Sequence, residues 1–476
     1  MKLKVQPIRI KTGKYKVVLN LEDAKEIGVR GGDRVQLKNH SYLTAVVETG
    51  DMIEVGTVGV YQECCERLGK ECPLTLEIIP TSKPSSVSYI KKIMDKEKLT
   101  QEEIFQIVQD IVRDTLTDIE MTAFITSTYI HGLSTDEIEW LTRAMIDTGE
   151  KIEFETHPIM DKHSIGGVPG NKITLLVVPI VAANGLLDEI KSITEKVGGI
   201  IAWGGATNIA PADDKLIHAE YPLSIDPHCQ LLASIMAKKG AVGADSVVID
   251  IPVGQGTKIP TIQEGKKLAR ELIELGERLG MNVECAMTYG ASPVGRTIGP
   301  IIEVREALKV LETMEGPNSL IEKSTALAGI LLEMGGVATK GRGKELAMET
   351  LRSGKALSKL REIIEAQGGN PNVTYKDLIP GEHKGEIASP ADGYVIEFDN
   401  KRIVEIARLA GAPIDKGAGV WINRKKGELV RKGEPLITIY SEKEWKLDNA
   451  LKSAQKDNPI IVEGMLLERI KGLGVI

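Results

Sequence analysis

A strand, a helix and a second strand follow one another along residues 246–290, and this order constrains the fold more than any other feature of the sequence. SVVIDIPVG has the pattern of an apolar strand that ends at a Gly loop. TIQEGKKLARELIELGERLG then has apolar residues at helical spacing, and MNVECAMTYG has the pattern of another strand. Strands joined through a helix lie parallel in one sheet, and such sheets bind ligands at the carboxyl ends of their strands.

The other parts of the chain have different patterns. β-Branched runs broken by Gly turns predict a small barrel at the start, and helical spacing with capping signals follows it. Those signals are Thr100, Thr117 and either Ser134 or Thr135, each ahead of acidic residues. The last part is β-rich again, and KKGELVRKGEPL predicts a hairpin there.

The predicted fold is therefore α/β and multi-domain. It has a small β-rich N-terminal domain, a helical domain, a large α/β domain with a mixed or parallel sheet, and a β-rich C-terminal subdomain. The 476 residues are too many for one core. We predict these boundaries: 1–84 for the β-rich N-terminal domain, 85–155 plus about 210–242 for the helical domain, 156–209 plus about 243–380 for the α/β phosphate- and nucleotide-binding domain, and 381–476 for the C-terminal α+β subdomain.

Charge and hydropathy exclude two classes of partner. Lys and Arg number 60 against 67 Asp and Glu, a net charge of -7, whereas a nucleic-acid backbone calls for a basic face. The longest apolar stretch, Ile173 to Gly185, is too short to span a bilayer. The first residues contain no apolar signal core. We expect a cytoplasmic protein with no membrane or nucleic-acid partner.

The cysteines fit that compartment. Five Cys form an odd, sparse set, which predicts no disulfide framework. Cys64, Cys65 and Cys72 lie close in sequence but have no second pair or His at ligand spacing. We expect small buried or half-buried thiols and no metal site.

The densest polar run, DKHSIGGVPGNKIT at 161–174, is suited to binding an oxyanion. Glycines let backbone N–H groups approach a ligand, while a hydroxyl and an ammonium add a donor and a charge. A helix that starts near Asn171 would add the positive end of its dipole. The residues concerned are Lys162, Ser164, Gly166, Gly167 and Gly170.

Glycine-rich runs of this kind have two other interpretations. Nucleoside triphosphate loops place Gly-Lys-Ser/Thr four residues after their first Gly, but the fifth residue after Gly166 is Asn171, which disfavours a kinase or ATPase. The run is alternatively a plain Gly-rich turn between strand and helix with His163 at the surface.

DKHSIGGVPGNKIT resembles the Lys-His-Ser-Thr-Gly-Gly signature of the thymidine and pyrimidine-nucleoside phosphorylases. The resemblance extends from about 88 to 476, and five further motifs follow in the family's order. They are IAPADDK (209–215), LLASIMAKK (231–239), VIDIPVGQGTK (248–258), PVGRTIGPIIEVREAL (293–308) and ASPADGYVIEFD (388–399).

Within that family, three features of the chain resemble the archaeal AMP phosphorylases. They are the added first 84 residues and the segments SIGGVPGNK and WGGATNIAPADDKLIHAEYPLSIDP. The resemblance implies a pentosyltransferase that cleaves AMP, and also CMP and UMP, with inorganic phosphate to give free base and ribose 1,5-bisphosphate. It implies no metal or other cofactor, because phosphate is a co-substrate. It also implies a homodimer through the helical domain, with larger homo-oligomers supported by the appended domains.

The resemblance assigns phosphate binding to Lys162, Ser164 and, across one inserted residue, Thr174. It assigns base contacts to Ser234 and Lys238, whose spacing of four puts both on one helix face.

The remaining assignments concern the proton donor and the nucleotide. Asp226 matches the acid that protonates the leaving base, a role that requires burial to raise the pKa of the carboxyl group. Gly167, Ser234 and Lys258 match nucleotide contacts, and His163 and Gly166 are further candidates. The alternatives are a turn residue for Asp226 and a solvated loop charge for Lys258.

Two departures from the family pattern bear on function. Ala219 stands where thymidine phosphorylases have an Arg that grips the pyrimidine, which argues against thymidine as substrate. A Ser/Thr/Gly-rich loop expected between Gly185 and Leu187 is absent. Either the chain has lost this loop or the printed sequence omits it. We favour omission, because a lid that closes on a ligand is commonly disordered without that ligand. The rival functions are a thymidine or pyrimidine-nucleoside phosphorylase and an inactive nucleotide-binding sensor.

Overall fold

A computed structural model describes residues 1–69, 72–155, 157–184, 194, 196–201, 209–223 and 225–464. The chain forms two compact units. The first unit is Met1–Glu150 with Gly204–Ala241, and the second is Lys151–Trp203 with Val242–Ile476. The finer division into four domains stays a prediction.

The first unit begins with a closed six-stranded barrel of order β1-β5-β2-β4-β3-β6. Its strands are β1 (Lys2–Ile8), β2 (Lys16–Leu19), β3 (Arg34–Lys38), β4 (Tyr42–Thr49), β5 (Thr57–Tyr61) and β6 (Thr75–Thr81), and its helices are α1 (Leu21–Ile27) and α2 (Gln62–Leu68). Alternate side chains such as Val35 and Leu37 point inward and are fully buried. The predicted small barrel at the start of the chain is confirmed.

The rest of the first unit is helical. Its helices are α3 (Ser86–Met94), α4 (Gln101–Val112), α5 (Asp118–His131), α6 (Thr135–Asp147), α8 (Pro211–Glu220) and α9 (His228–Ala241). Thr100, Thr117 and Ser134 each cap a helix by a reciprocal bond with the Glu three residues on, which confirms the capping signals and selects Ser134 over Thr135. Arg34 of the barrel donates to Thr115 O at 2.9 Å and pairs with Glu120.

The second unit contains the predicted parallel sheet, of order β7-β8-β9. Its strands are β7 (Met160–Ser164), β8 (Ser246–Val253) and β9 (Asn282–Tyr289), and its helices are α7 (Thr174–Ala182), α10 (Ile262–Leu279), α11 (Pro300–Thr313), α12 (Asn318–Met334), α13 (Gly343–Arg352) and α14 (Lys355–Ala366). Ser164 pairs with Asp250, which pairs with Ala286. The predicted strand–helix–strand order is confirmed. Helix α7 starts at Thr174, three residues later than predicted.

The C-terminal part carries two antiparallel sheets, of orders β10-β13-β15-β11 and β14-β12-β16, and two helices. The elements are β10 (Thr297–Ile298), β11 (His383–Ala388), β12 (Gly393–Phe398), α15 (Asn400–Leu409), β13 (Gly419–Ile422), β14 (Leu429–Val430), β15 (Pro435–Ser441), α16 (Glu444–Lys456) and β16 (Ile460–Glu463). The predicted hairpin is wrong, because β14 and β15 belong to different sheets. The turn amides of Lys432 and Gly433 bond instead to Asp392 Oδ1 and Ser389 O.

The cysteine prediction is wrong for two of the five residues. Cys65 and Cys72 form a disulfide, with their Cα atoms 4.5 Å apart. Helix α2 ends at Leu68, between Cys65 and Cys72. The spacing of these two cysteines in the sequence does not by itself reveal that they lie close together. Cys64, Cys229 and Cys285 are thiols, and burial raises the pKa of each to about 12. No helix in the described ranges has the length and apolarity to cross a bilayer.

Candidate functional site

The predicted phosphate ligands lie around the end of β7 in the second unit. Lys162 and Ser164 are two residues apart in this strand, so their side chains project from the same face. Lys162 Nζ donates to Thr174 Oγ1 at 3.3 Å, at the first residue of α7. Lys162 and Thr174 are therefore in contact, although matching Thr174 to the family pattern required one inserted residue.

Two glycines of the run allow close approaches that a side chain would prevent. Gly167 has φ +84°, and a Cβ there would lie 2.9 Å from the backbone nitrogen of Lys258. Gly170 has φ +69°, and a Cβ there would lie 2.6 Å from Thr297 O. Gly167 and Lys258, both predicted nucleotide contacts, are therefore neighbours. Lys258 itself is exposed.

Ser164 is held by a buried carboxylate that the sequence reasoning missed. Its Oγ donates to Asp250 Oδ2 at 2.9 Å and accepts from Asn171 Nδ2 at 2.9 Å. Thr288 Oγ1 donates to Asp250 Oδ1 at 2.6 Å, and Lys323 Nζ lies 2.8 Å from Asp250 Oδ2. A signal was available, because an acid inside an apolar strand pattern needs buried partners.

This cluster is desolvated. The Asp250 side chain is 0% exposed and that of Lys323 is 8% exposed. Burial lowers the pKa of Lys323, and the attraction of Asp250 opposes that shift. The ion pair and hydrogen bonds compensate the burial of Asp250, which lies inside the central strand and pairs with Ser164 at the carboxyl end of β7, where sheets of this type bind ligands.

Lys172, the second lysine of the run, is buried and binds other parts of the second unit. Its Nζ donates to Thr297 O at 2.9 Å, Thr297 Oγ1 at 2.8 Å and Glu306 Oε2 at 2.5 Å. Glu306 also accepts from the Arg296 amide at 2.9 Å. Lys172 therefore anchors the run, whereas Lys162 lies beside the predicted phosphate ligands.

The predicted base contacts lie in the first unit, on α9. Ser234 and Lys238 are half-buried, four residues apart on one face of the helix. Lys238 Nζ lies 2.7 Å from Oδ2 of the buried Asp213. Burial and Asp213 raise the pKa of the neighbouring Asp214, with Lys238 opposing. Asp213 is thus the ion-pair partner of the Lys238 ammonium.

Three other expectations have mixed outcomes. Asp226 precedes α9 and is exposed, so the burial that its role requires is not met in the free protein. His163 is half-buried in β7, next to the Lys162 and Ser164 positions. The missing loop falls at residues 185–187, outside the described residues.

Across the described ranges, no three His, Cys, Asp or Glu side chains are grouped to hold a metal ion. The absence of a metal or other cofactor from the reaction stays a prediction.

Two family models match parts of the chain. Residues 87–149 match the helical bundle domain of a glycosyl transferase family, and residues 394–460 match the C-terminal domain of pyrimidine nucleoside phosphorylase. These domains place the chain in the class of glycosyltransferases related to nucleoside phosphorylases.

Full-length relatives narrow this class. An AMP phosphorylase from Methanococcoides burtonii is 62% identical over 501 residues, covering 99% of both chains. AMP phosphorylase 1 from Archaeoglobus fulgidus is 52% identical over 499 residues, covering 98% of this chain and 99% of the relative. The chain belongs to the AMP phosphorylase family.

Two further comparisons add detail. Anthranilate phosphoribosyltransferase from Thermus thermophilus has a TM-score of 0.48 at 17% identity, covering 59% of this chain and 99% of that one, a likeness too weak to support an inference. The 501-position alignment is longer than the 476-residue chain, so the Methanococcoides burtonii relative has positions with no counterpart here.

Proposed function

We propose that this protein catalyses the phosphorolysis of AMP by inorganic phosphate, releasing adenine and ribose 1,5-bisphosphate. The 62% identity to a relative named AMP phosphorylase, across 99% of both chains, carries this proposal. CMP and UMP are further proposed substrates. Full-length similarity to named enzymes disfavours the thymidine phosphorylase and the inactive sensor.

The proposed reaction is a displacement at C1' of the ribose. A phosphate oxygen forms a bond to C1' while the bond from C1' to the base nitrogen breaks. Lys162, Ser164 and Thr174 hold the phosphate, whose own charge makes it the nucleophile. Gly167, with His163 and Gly166 as further candidates, lets the backbone approach the ligand, and Lys258 binds the nucleotide.

The departing base needs a proton, which we assign to Asp226. Because Asp226 is exposed in the free protein, bound substrate has to shield its carboxyl group for this role. Ser234 and Lys238 hold the base, and the ion pair with Asp213 orients Lys238.

Base release from AMP, CMP, UMP and thymidine in the presence of phosphate tests the function. We expect adenine from AMP and no thymine from thymidine. Lys162→Met is expected to lower kcat/KM at least about tenfold, since a charge-assisted bond is lost. Lys344→Met removes a lysine that is exposed and paired with Glu322, and serves as the matched control. Thymine release alone would refute the proposal.

We further propose a homodimer formed through the helical part of the first unit. Helix α5 exposes large apolar side chains, with Ile119 82% and Ile130 64% exposed. Light scattering should give the mass of a dimer or a multiple of it for the wild type and of a monomer for Ile130→Glu. A monomeric wild type would refute the proposed homodimer.

The cytoplasmic location also stays a proposal, and the Cys65–Cys72 disulfide weakens that proposal.

A further inference from the structure

We propose that Ser164 accepts a hydrogen bond from the attacking phosphate instead of donating one, so that the site selects HPO₄²⁻ over tetrahedral anions that carry no proton. Asp250 is the positioning residue that imposes this polarity. The inference rests on the proposed function in one respect, the assignment of Ser164 as a phosphate ligand.

The proton of Ser164 is already committed. A serine hydroxyl has one hydrogen and two lone pairs, and an ionised carboxylate only accepts. The 2.9 Å contact from Ser164 Oγ to Asp250 Oδ2 therefore uses the serine hydrogen. Asn171 Nδ2 donates to the same Oγ at 2.9 Å and occupies one lone pair. Among the described residues these two bonds leave one lone pair of Ser164 Oγ, and it calls for a donor.

The surroundings of Asp250 oppose the loss of its hydrogen bond from Ser164. Thr288 donates to its other oxygen, and the Lys323 ammonium lies 2.8 Å from Oδ2, so both carboxylate oxygens have partners besides Ser164. The carboxylate is fully buried, so water does not replace a lost partner. Turning the Ser164 hydroxyl toward a ligand breaks a charge-assisted bond, which amounts to about ten- to a hundredfold in affinity.

Phosphate matches this polarity and sulfate does not. HPO₄²⁻ carries one P–OH group, which donates into the free lone pair of Ser164. Its unprotonated oxygens then remain for Lys162 and for the attack on C1'. Sulfate presents only acceptor oxygens, so it faces the Ser164 lone pair without a hydrogen. Arsenate keeps a proton and should behave as phosphate does.

Thermal-shift titrations with phosphate, arsenate and sulfate measure this preference without turnover, because a ligand that binds only the folded state raises Tm. For the wild type we expect phosphate and arsenate to bind at least about tenfold more tightly than sulfate. In Asp250→Asn an amide N–H can donate to Ser164 Oγ and free the serine proton. Sulfate should then bind more tightly, and the ratio of phosphate affinity to sulfate affinity should fall.

Two further variants separate polarity from general damage. Thr288→Val removes a hydrogen bond from Asp250 Oδ1 but leaves Ser164 in place, so the phosphate-to-sulfate ratio should not change. Ser164→Ala removes the lone pair and should lower the ratio even if Asp250→Asn fails to fold. A wild type that binds sulfate as tightly as phosphate, or shows no phosphate-dependent shift, overturns the proposal. So does equal weakening of both anions in Ser164→Ala.

Adenine release from AMP is measured on the same preparations. Adenine release without discrimination between phosphate and sulfate would leave the proposed function standing and reject this inference. Discrimination without adenine release would reject the proposed function and leave the polarity of Ser164 supported.

Discussion

Two buried ammonium–carboxylate pairs of the second unit, Lys172–Glu306 and Lys323–Asp250, differ in what surrounds them. Lys172 Nζ has two acceptors on Thr297 besides Glu306, so each of its hydrogens finds a partner. Lys323 Nζ lies beside Asp250 but, within the described ranges, is not fixed by a well-oriented hydrogen bond. The first pair is closed within the protein, and the second extends to Ser164.

This difference separates a structural from a functional use of the same chemistry. A buried ion pair in which every donor has a partner loses stability when any one of its groups is removed. A pair that shares its carboxylate with a half-buried hydroxyl transmits its polarity to a ligand. We therefore expect damage to the Lys172 pair to appear mainly in stability and damage to the Asp250 pair to appear in anion binding.

The largest expected effect is from Glu306→Gln. This change leaves the Lys172 ammonium buried without a counter-charge, which should lower the free energy of unfolding by about 3–5 kcal/mol. Urea denaturation, monitored through a signal from the second unit, measures this change in the free energy of unfolding. The double variant Lys172→Met/Glu306→Gln removes both charges and should recover part of the loss.

An unfolding free energy unchanged in Glu306→Gln would mean that the surrounding carbonyls and hydroxyl hold Lys172 without the carboxylate. The contrast between the two pairs would then lose its basis.

A second lysine near Glu306 predicts a pH dependence. Burial lowers the pKa of Lys425 from 10.5 to about 8, with Glu306 opposing that shift. Between these values the unfolded chain binds more protons than the native protein, so stability should rise with pH by up to about 1.4 kcal/mol per unit. It should fall as pH drops through 8 and level off below. Urea midpoints from pH 7 to 10.5 measure it.

Lys425→Arg is the matched control, because a guanidinium keeps its proton over this range. Its stability should lack the rise seen between pH 8 and 10.5. An identical rise in the wild type and Lys425→Arg would assign the dependence to other groups.

Ser164→Ala tests the second pair through the hydroxyl that it orients. The loss of one bond to phosphate should lower kcat/KM for phosphate about ten- to a hundredfold. Stability should change by only about 1 kcal/mol, because Asp250 keeps Thr288 and Lys323. Steady-state kinetics and urea denaturation together separate the two effects. A large stability loss with unchanged kinetics would contradict the division of roles.

Periodicity and caps made most of the fold predictable. Strand β8, helix α10 and strand β9 each form where the local pattern placed them, because both the pattern and the cap at Thr261 lie within the segment itself. The Cys65–Cys72 bond and the separation of β14 from β15 depended on contacts with other elements. No local pattern reports such contacts.

The candidate site shows the same limit. Lys162 and Lys172 look alike in the glycine-rich run, yet one lies beside Thr174 and the other is buried against Glu306. Asp250 is 86 residues from Ser164, and only the sheet register aligns the two. The family signature supplied candidate ligands, but the residues that orient those ligands required the structure.

The smallest expected effect sets the scale for an exposed hydrogen bond. Thr100 caps α4 at the surface, where water can replace its bond to the Glu103 amide, so Thr100→Ala should cost only about 1 kcal/mol. Thr100→Ser keeps the hydroxyl and should cost less, which urea denaturation can resolve. A loss as large as that of Glu306→Gln would mean that burial does not set the energetic scale. The difference between the two buried pairs would then have to be explained by geometry alone.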